Sequence, residues 1–147
     1  MALEGVLESI RKAKADLIEN RGKDALVIGF DLLALVKLRI QTSGKNFEGE
    51  PLAPYTPFTK RDRKSKGYQI GFVDYTQRGV FWAGIRPRIE SANIVNAVVV
   101  IGPTDAYGQE VLNAAQPKRG NLLLASKEEI DIVNQANIER VKKYLKF

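Results

Sequence analysis

Three prolines within seven residues, Pro51, Pro54 and Pro57, constrain the fold of this 147-residue chain more than any other feature. Proline fixes φ, lacks a backbone N–H donor and pushes the residue before it toward extended conformations. We therefore predict that the surrounding segment, residues 46–67, is neither a helix nor a central strand but an extended arm. A structureless connection longer than about 12–15 residues is uncommon in a compact domain, and is usually functional or disordered.

The predicted arm has an apolar half and a basic half. Regularly spaced apolar side chains argue against a solvated linker, and we expect them to anchor the arm on another subunit or a partner protein: Phe47, Leu52, Tyr55 and Phe58. The run 60–66 holds five cations and one acid, so it supplies +4 of the net charge of +6. Its cations are candidates for contact with DNA or an acidic surface, the alternative being a solvated, solubilising loop: Lys60, Arg61, Arg63, Lys64 and Lys66. We expect the arm to be mobile in the free monomer and to become ordered on docking.

Two helices are predicted before the arm. Apolar residues recur with helical spacing from residue 3 to residue 18, and Gly22 is suited to the left-handed position that ends a helix. A second helix is predicted from Asp24 to about Thr42, where Ser43-Gly44 ends it. Its apolar residues cover most of its circumference, which predicts a buried central helix. Asp31 within it is expected to face solvent or to pair with a cation, because an unpaired buried carboxylate is unfavourable.

The second half of the chain predicts a small antiparallel sheet followed by a helix. β-Branched and aromatic residues predict strands at 80–85 and 94–101, with a further strand near 68–73. Residues 102–120 are predicted to be a loop region. Ser126 and Glu129 have the spacing of a capping box, which predicts that an amphipathic helix begins there and ends the chain. The whole chain, 1–147, is thus predicted to be a single α+β domain.

The composition excludes several classes of chemistry. The chain has no histidine and no cysteine, so Ser-His-Asp and Cys-His catalysis, disulfides and most zinc sites are excluded. Neither Gly-Lys pair continues into a phosphate-binding loop. We therefore expect no enzymatic activity, no cofactor and no metal. The N-terminus lacks the features of an export signal, and the longest apolar stretch is too short to span a membrane, so no membrane association is expected.

The order of these motifs resembles tailed-phage virion-morphogenesis, or tail-completion, proteins. The similarity begins with Gly49 and the proline-rich run that ends at Thr59, in which Leu52 stands where that family usually has tryptophan. It continues through a Thr-Gly turn, a strand end and the entry to the last helix: Asp74, Thr76 and Gly79, then Ile101, Gly102 and Tyr107, then the run from Arg119 to Ser126.

The resemblance implies a structural virion protein, assembled in the host cytoplasm, that forms a hexameric or dodecameric ring in the neck or tail-completion complex. Its partners would be further copies of itself and other neck, portal or tail proteins, with genomic DNA passing through the ring and contacting it weakly. The alternative, motivated by the basic run, is a stand-alone nucleic-acid-binding module. Ring formation distinguishes the first hypothesis from the second.

Overall fold

The computed structural model describes residues 2–77 and 79–145, which form an α+β fold, as predicted. The elements in chain order are α1 (Ala2–Ser43), α2 (Pro57–Ser65), α3 (Val80–Ala83), β1 (Ile85–Ala92), β2 (Ala97–Pro103), α4 (Ala106–Arg119) and α5 (Lys127–Leu145). The two strands form an antiparallel hairpin, and this small sheet lies against α1. None of the described helices is long and apolar enough to cross a membrane.

The two helices predicted before the arm are one continuous helix. α1 contains 42 residues, which at a rise of 1.5 Å per residue makes it about 63 Å long. The predicted stop at Gly22 is therefore wrong, whereas the predicted end at Ser43 is confirmed. Gly44 follows with a φ of +61°, and its amide donates to the Ile40 carbonyl over 2.9 Å.

Gly22 and Gly29 in α1 allow the hairpin to approach the helix closely. A Cβ at Gly29 would lie 2.8 Å from Pro87 Cβ and 2.8 Å from Val99 Cγ1, while one at Gly22 would lie 2.9 Å from Ile89 Cδ1. These distances are shorter than ordinary van der Waals contact. The glycine that resembles a helix terminator is thus a packing residue, a role that only the tertiary structure reveals.

Residues 80–85 are only partly a strand. Gly79 has a φ of +70° and starts the short helix α3, and β1 begins at Ile85. The predicted strand at 68–73 is also wrong, because all six of these residues lie outside the strands. The second predicted strand begins at Ala97 rather than residue 94, since the Asn93 side chain accepts the amides of Val95 and Asn96 and forms the hairpin turn.

The region predicted as a loop at 102–120 contains helix α4. The Asp105 carboxylate accepts the Gly108 amide over 2.7 Å and caps its first turn, and Gly120 follows its last turn with a φ of +66°. Its residue Ala115 is buried in the core. The Asp105 cap is a local sequence signal that could have located the start of α4.

The C-terminal helix begins as predicted. The Glu129 amide donates to Ser126 Oγ over 3.2 Å, and the Ser126 amide donates to Glu129 Oε2 over 2.7 Å, which confirms the capping box. Arg39 of α1 also donates to Glu129, over 2.8 Å. Further along, Arg140 pairs with Asp31, so the second of the two alternatives expected for Asp31, pairing with a cation, is confirmed.

The buried apolar core joins α1 to several later parts of the chain. Its members come from α1, the segment after it, α3, β1, α4 and the loop before α5: Leu33, Val36, Ile40, Leu52, Val73, Phe81, Trp82, Ile85, Ala115 and Leu122. The outward face of α1 is not covered, however. Val27, Phe30 and Leu38 are 44%, 47% and 57% exposed, so the prediction of a helix buried around most of its circumference is wrong.

Candidate functional site

The segment between α1 and α3 packs on the domain as a closed loop followed by a helix. The Leu52 amide donates to the Gly44 carbonyl over 2.7 Å, and the Asn46 side chain accepts the amides of Glu48 and Glu50. These bonds close residues 44–52 into a tight loop. This part of the segment is therefore a loop closed by its own backbone and not an extended arm.

The basic half of the predicted extended arm is helical. Thr56 caps α2 by accepting the Thr59 amide over 3.2 Å, and Pro57 occupies the first helical position. Proline is favoured at that position because the amide it lacks would have no partner within the helix. The rule that excludes proline from helices applies to interiors, which is why the prediction of an extended conformation at 57–65 is wrong.

Arg63 belongs to α2, and its side chain is buried between this helix and the body of the domain, where it forms an ion pair with Asp74. Their side chains are 1% and 3% exposed, and Arg63 Nη2 lies 2.9 Å from Asp74 Oδ1. The Arg63 Nε group donates to the Gln69 carbonyl, and the guanidinium lies over the Tyr55 ring. The prediction that Arg63 contacts DNA or an acidic surface is corrected, because its charge is neutralised inside the domain.

Asp74 is the centre of this polar cluster. It accepts hydrogen bonds from the Tyr55 hydroxyl at 2.9 Å, the Gln69 amide at 2.5 Å and the Thr76 hydroxyl at 2.7 Å. Burial raises the pKa of Asp74, but these hydrogen bonds outweigh the burial and hold its pKa below the ordinary value. The carboxylate is therefore a structural anion that fixes the loop after α2.

Arg119, from the last turn of α4, fastens the proline-rich stretch to the body. Its guanidinium donates to the carbonyls of Ala53 and Pro54 and to the Tyr75 hydroxyl. Burial raises the pKa of Tyr75, although the nearby Arg119 charge opposes this shift. The proline-rich stretch is thus held by hydrogen bonds from a residue far away in the sequence.

The four predicted anchor residues have different environments. Leu52 is 8% exposed and belongs to the core, and the Tyr55 hydroxyl is committed to Asp74. Phe47 is half-buried. Phe58 is 75% exposed and borders a shallow groove of about 490 Å³ on α2. Leu52 is therefore corrected as a surface contact, and Phe58 is the anchor with the most accessible side chain.

The remaining cations of the basic run lie on the surface. Lys60, Arg61, Lys64 and Lys66 are exposed, and Lys66 pairs with Asp62 over 2.6 Å. Among residues 2–77 and 79–145, no group of three or more acidic side chains is placed to hold a metal ion. α2 can therefore present a small basic surface beside an exposed phenylalanine.

An extended accessible apolar surface, which the sequence prediction missed, lies on α1. All side chains from residue 4 to residue 17 are exposed, so this half of the helix projects beyond the body. It carries exposed apolar residues at helical spacing, including Val6, Ile10 and Leu17 at 55%, 59% and 56%. The signal was visible as the amphipathic pattern of residues 3–18. What the sequence did not reveal was that the domain leaves this pattern uncovered.

No protein-family model matches the chain, and no curated protein or solved structure matches it either.

Proposed function

We propose that this chain is a structural virion protein of a tailed phage, a ring-forming subunit of the neck or tail-completion complex that joins head and tail. The resemblance of the motifs from Gly49 to Ser126 motivates the phage assignment. In this proposal the chain acts by assembly, after synthesis in the host cytoplasm, and its place is in the virion.

The uncovered apolar surface of α1 carries the proposal. Full burial of a Val, Leu, Ile or Phe side chain stabilises by about 1.5–3 kcal/mol, so a half-exposed one would contribute about half of that on docking. Seven such side chains lie exposed on the described part of α1: Val6, Leu7, Ile10, Leu17, Val27, Phe30 and Leu38. Together they would contribute about 5–10 kcal/mol. Association itself costs about 4–15 kcal/mol, so one contact is weak and several acting together are needed.

The structure of the projecting half of α1 also favours a partner. Isolated helices shorter than about 12–15 residues are marginal in water, and most helices are stabilised by packing of an apolar face. Residues 4–17 extend the longer helix α1, but their apolar side chains have no such packing within the described part of the monomer. A neighbouring subunit would provide it.

Phe58 is the candidate contact to a different neck, portal or tail protein. It lies on α2, and its side chain is the most exposed of the large apolar ones among the described residues. Phe47 is the second, partly exposed candidate. Aromatic side chains, phenylalanine included, are enriched in protein–protein interfaces relative to the rest of the surface.

The proposal is tested by the state of association of the purified full chain. We expect light scattering to report a mass that rises with protein concentration to a fixed limit, and negative-stain electron microscopy to reveal closed rings. A chain that stays monomeric up to high concentration, both alone and with neck proteins of its own phage, would contradict the proposal.

The alternative function, a stand-alone DNA-binding module, is tested by the salt dependence of binding. Each phosphate contact adds about 0.9 to the slope of log affinity against log salt. With Arg63 buried, the four exposed cations on and after α2 allow a slope of at most about 3.6. We expect the unmodified chain to bind labelled duplex DNA weakly. Changing Lys60, Arg61 and Lys64 to serine should abolish this binding. Tight binding by persistent monomers would favour the alternative.

A further inference from the structure

Two apolar stripes of similar pattern lie on the outer surface of α1. The arm stripe consists of Val6, Ile10, Ala13 and Leu17, and the back stripe consists of Val27, Phe30, Ala34 and Leu38; all eight side chains are exposed. Each stripe extends over about 16 Å of helix. The valine, alanine and leucine of the arm stripe recur in the back stripe in the same order and with the same spacing between them.

The two stripes face different directions. Successive residues in a helix are about 100° apart, so the arm stripe lies roughly a quarter turn around α1 from the back stripe. The back stripe is turned away from the buried residues Leu33, Val36 and Ile40. The arm stripe ends at Leu17, which lines a cleft with Val141 of α5. The stripes are therefore separate surfaces and cannot cover each other within one monomer.

We infer that the arm stripe of one subunit packs across the back stripe of the next subunit, with Ala13 against Ala34 at the crossing point. This inference rests on the proposed function and specifies how the ring is joined. Pairing arm with arm, or back with back, would leave one stripe exposed in the assembly. Pairing arm with back covers both stripes with a single kind of contact.

The residue types suit a helix crossing. Alanine at the centre lets two helix backbones approach, and the larger side chains on either side of it fill the space as the helices diverge. On the two sides of the crossing, the valines and the leucines of the two stripes are equivalent in position, whereas Ile10 lies three residues before Ala13 and Phe30 lies four residues before Ala34. A second copy is therefore an occupant whose pattern matches each stripe at the same spacing.

A contact between two different surfaces of the same chain is heterologous. Such a contact does not close at two subunits; it continues until a ring closes or a filament grows. At about 25 cal/mol per Å² the half-exposed side chains of one contact correspond to roughly 200–400 Å² of apolar surface, below the ~1,000 Å² expected of a stable pairwise interface. The closed ring, in which every subunit makes two contacts, is then the stable species.

Cysteine cross-linking tests the inference directly, because the chain has no cysteine of its own. We expect an equimolar mixture of Ala13→Cys and Ala34→Cys chains to form covalent dimers under mild oxidation, while each variant alone stays monomeric on a denaturing gel. The double variant Ala13→Cys/Ala34→Cys should form a ladder that ends at the ring size.

Ala15→Cys provides the matched control. Ala15 is exposed and only two positions from Ala13, but it lies about 200° around the helix from it. A mixture of Ala15→Cys and Ala34→Cys chains should therefore not cross-link. Cross-linking of Ala13→Cys with itself, or equal cross-linking from Ala15, would overturn the inference. If the unmodified chain forms rings but the Ala13→Cys and Ala34→Cys chains do not cross-link, only the inference is overturned. If neither rings nor cross-links form, the proposed function is overturned as well.

Discussion

Arg63 and Asp74 illustrate how one residue of a charged run can have a different role from its neighbours. Both side chains are almost fully buried and lie 2.9 Å apart. Removing one member of a buried ion pair leaves the other charge uncompensated, at a cost of about 3–5 kcal/mol. We therefore expect Arg63→Ala to lower the free energy of unfolding by about that amount, measured by urea denaturation.

Arg61→Ala is the control for this substitution, since Arg61 is in the same helix and exposed. Exposed substitutions away from special features usually change stability by no more than about 0.5 kcal/mol. Equal effects of the two alanine variants would mean that the buried pair does not stabilise the fold.

The lowered pKa of Asp74 predicts a loss of stability in acid. Its pKa is below the ordinary value of about 3.9 in the folded chain, so below that pH the unfolded chain takes up a proton that the folded chain does not. The contribution of this carboxylate is therefore complete above about pH 5 and declines as the pH falls toward about 3 and below. We expect the urea midpoint of the unmodified chain to fall over this window more steeply than that of Asp74→Asn. Parallel curves for the two chains would contradict the assignment.

Part of this site could be predicted from the sequence. Residue type alone predicts that Phe58 and the cations near it lie on the surface, and apart from Arg63 they are exposed. The roles of Leu52 and Arg63 could not be predicted in the same way, because a regularly spaced apolar residue or an arginine in a basic run looks the same in the sequence whether its partner is another molecule or its own domain. The partners that bury them, the core and Asp74, are brought to them only by the fold.

At the scale of the element, Gly29 determines how closely the hairpin packs on α1. Replacing glycine by alanine inside a helix usually stabilises by about 1 kcal/mol. Here the added Cβ would lie 2.8 Å from both Pro87 and Val99, which are too rigid to move aside, and overpacking of this kind costs about 1–3 kcal/mol. We expect Gly29→Ala to lower the thermal midpoint despite its better helix propensity.

Gly5→Ala is the matched control, because a Cβ at Gly5 meets nothing within 4 Å. It should leave the thermal midpoint unchanged or raise it, and increase the helical circular dichroism signal slightly. A stabilising Gly29→Ala would mean that the hairpin is not packed tightly against the helix.

The elements predicted well are those whose signals are local. The capping box of α5 and the glycine after α1 depend on hydrogen bonds within a few residues, and both were located correctly. The elements predicted badly depend on tertiary structure. Gly22 is a residue type that often ends helices, but here it lies inside α1 because the hairpin packs against it. The apolar run at 80–85 divides into a helix and a strand because Gly79 and Trp82 fix a turn there. The Trp82 indole donates to the Asp74 carbonyl over 3.1 Å.

At the scale of the whole molecule, the proposed crossing of α1 helices would select a ring size. Neighbouring subunits are related by a sixth of a turn in a hexamer and by a twelfth in a dodecamer, so their helices can cross at up to roughly 60° or roughly 30°, respectively. The commonest class of helix packing has a crossing angle of roughly 50°, which only the smaller ring allows. In such a hexamer each α1 helix is crossed by a neighbour at Ala13 and by the other neighbour at Ala34. These two crossing points are about 31 Å apart along the helix, so the six helices would form a hexagon with sides of that length.

We therefore expect six subunits rather than twelve, with a mass of about 98 kDa, six times the 16.4 kDa of one chain. Native mass spectrometry of the assembled, cross-linked double variant measures this number without reference to shape. Changing Ala13 to lysine places a long charged side chain at the crossing point and should shift the population to monomer. The thermal midpoint of that monomer should not change, because Ala13 is exposed in the half of α1 that projects beyond the body. Lys12→Ser, an exposed change on α1 outside both stripes, should assemble to the same mass as the unmodified chain. A mass close to that of twelve subunits would require a much shallower crossing, and would refute the packing angle on which the hexamer is based.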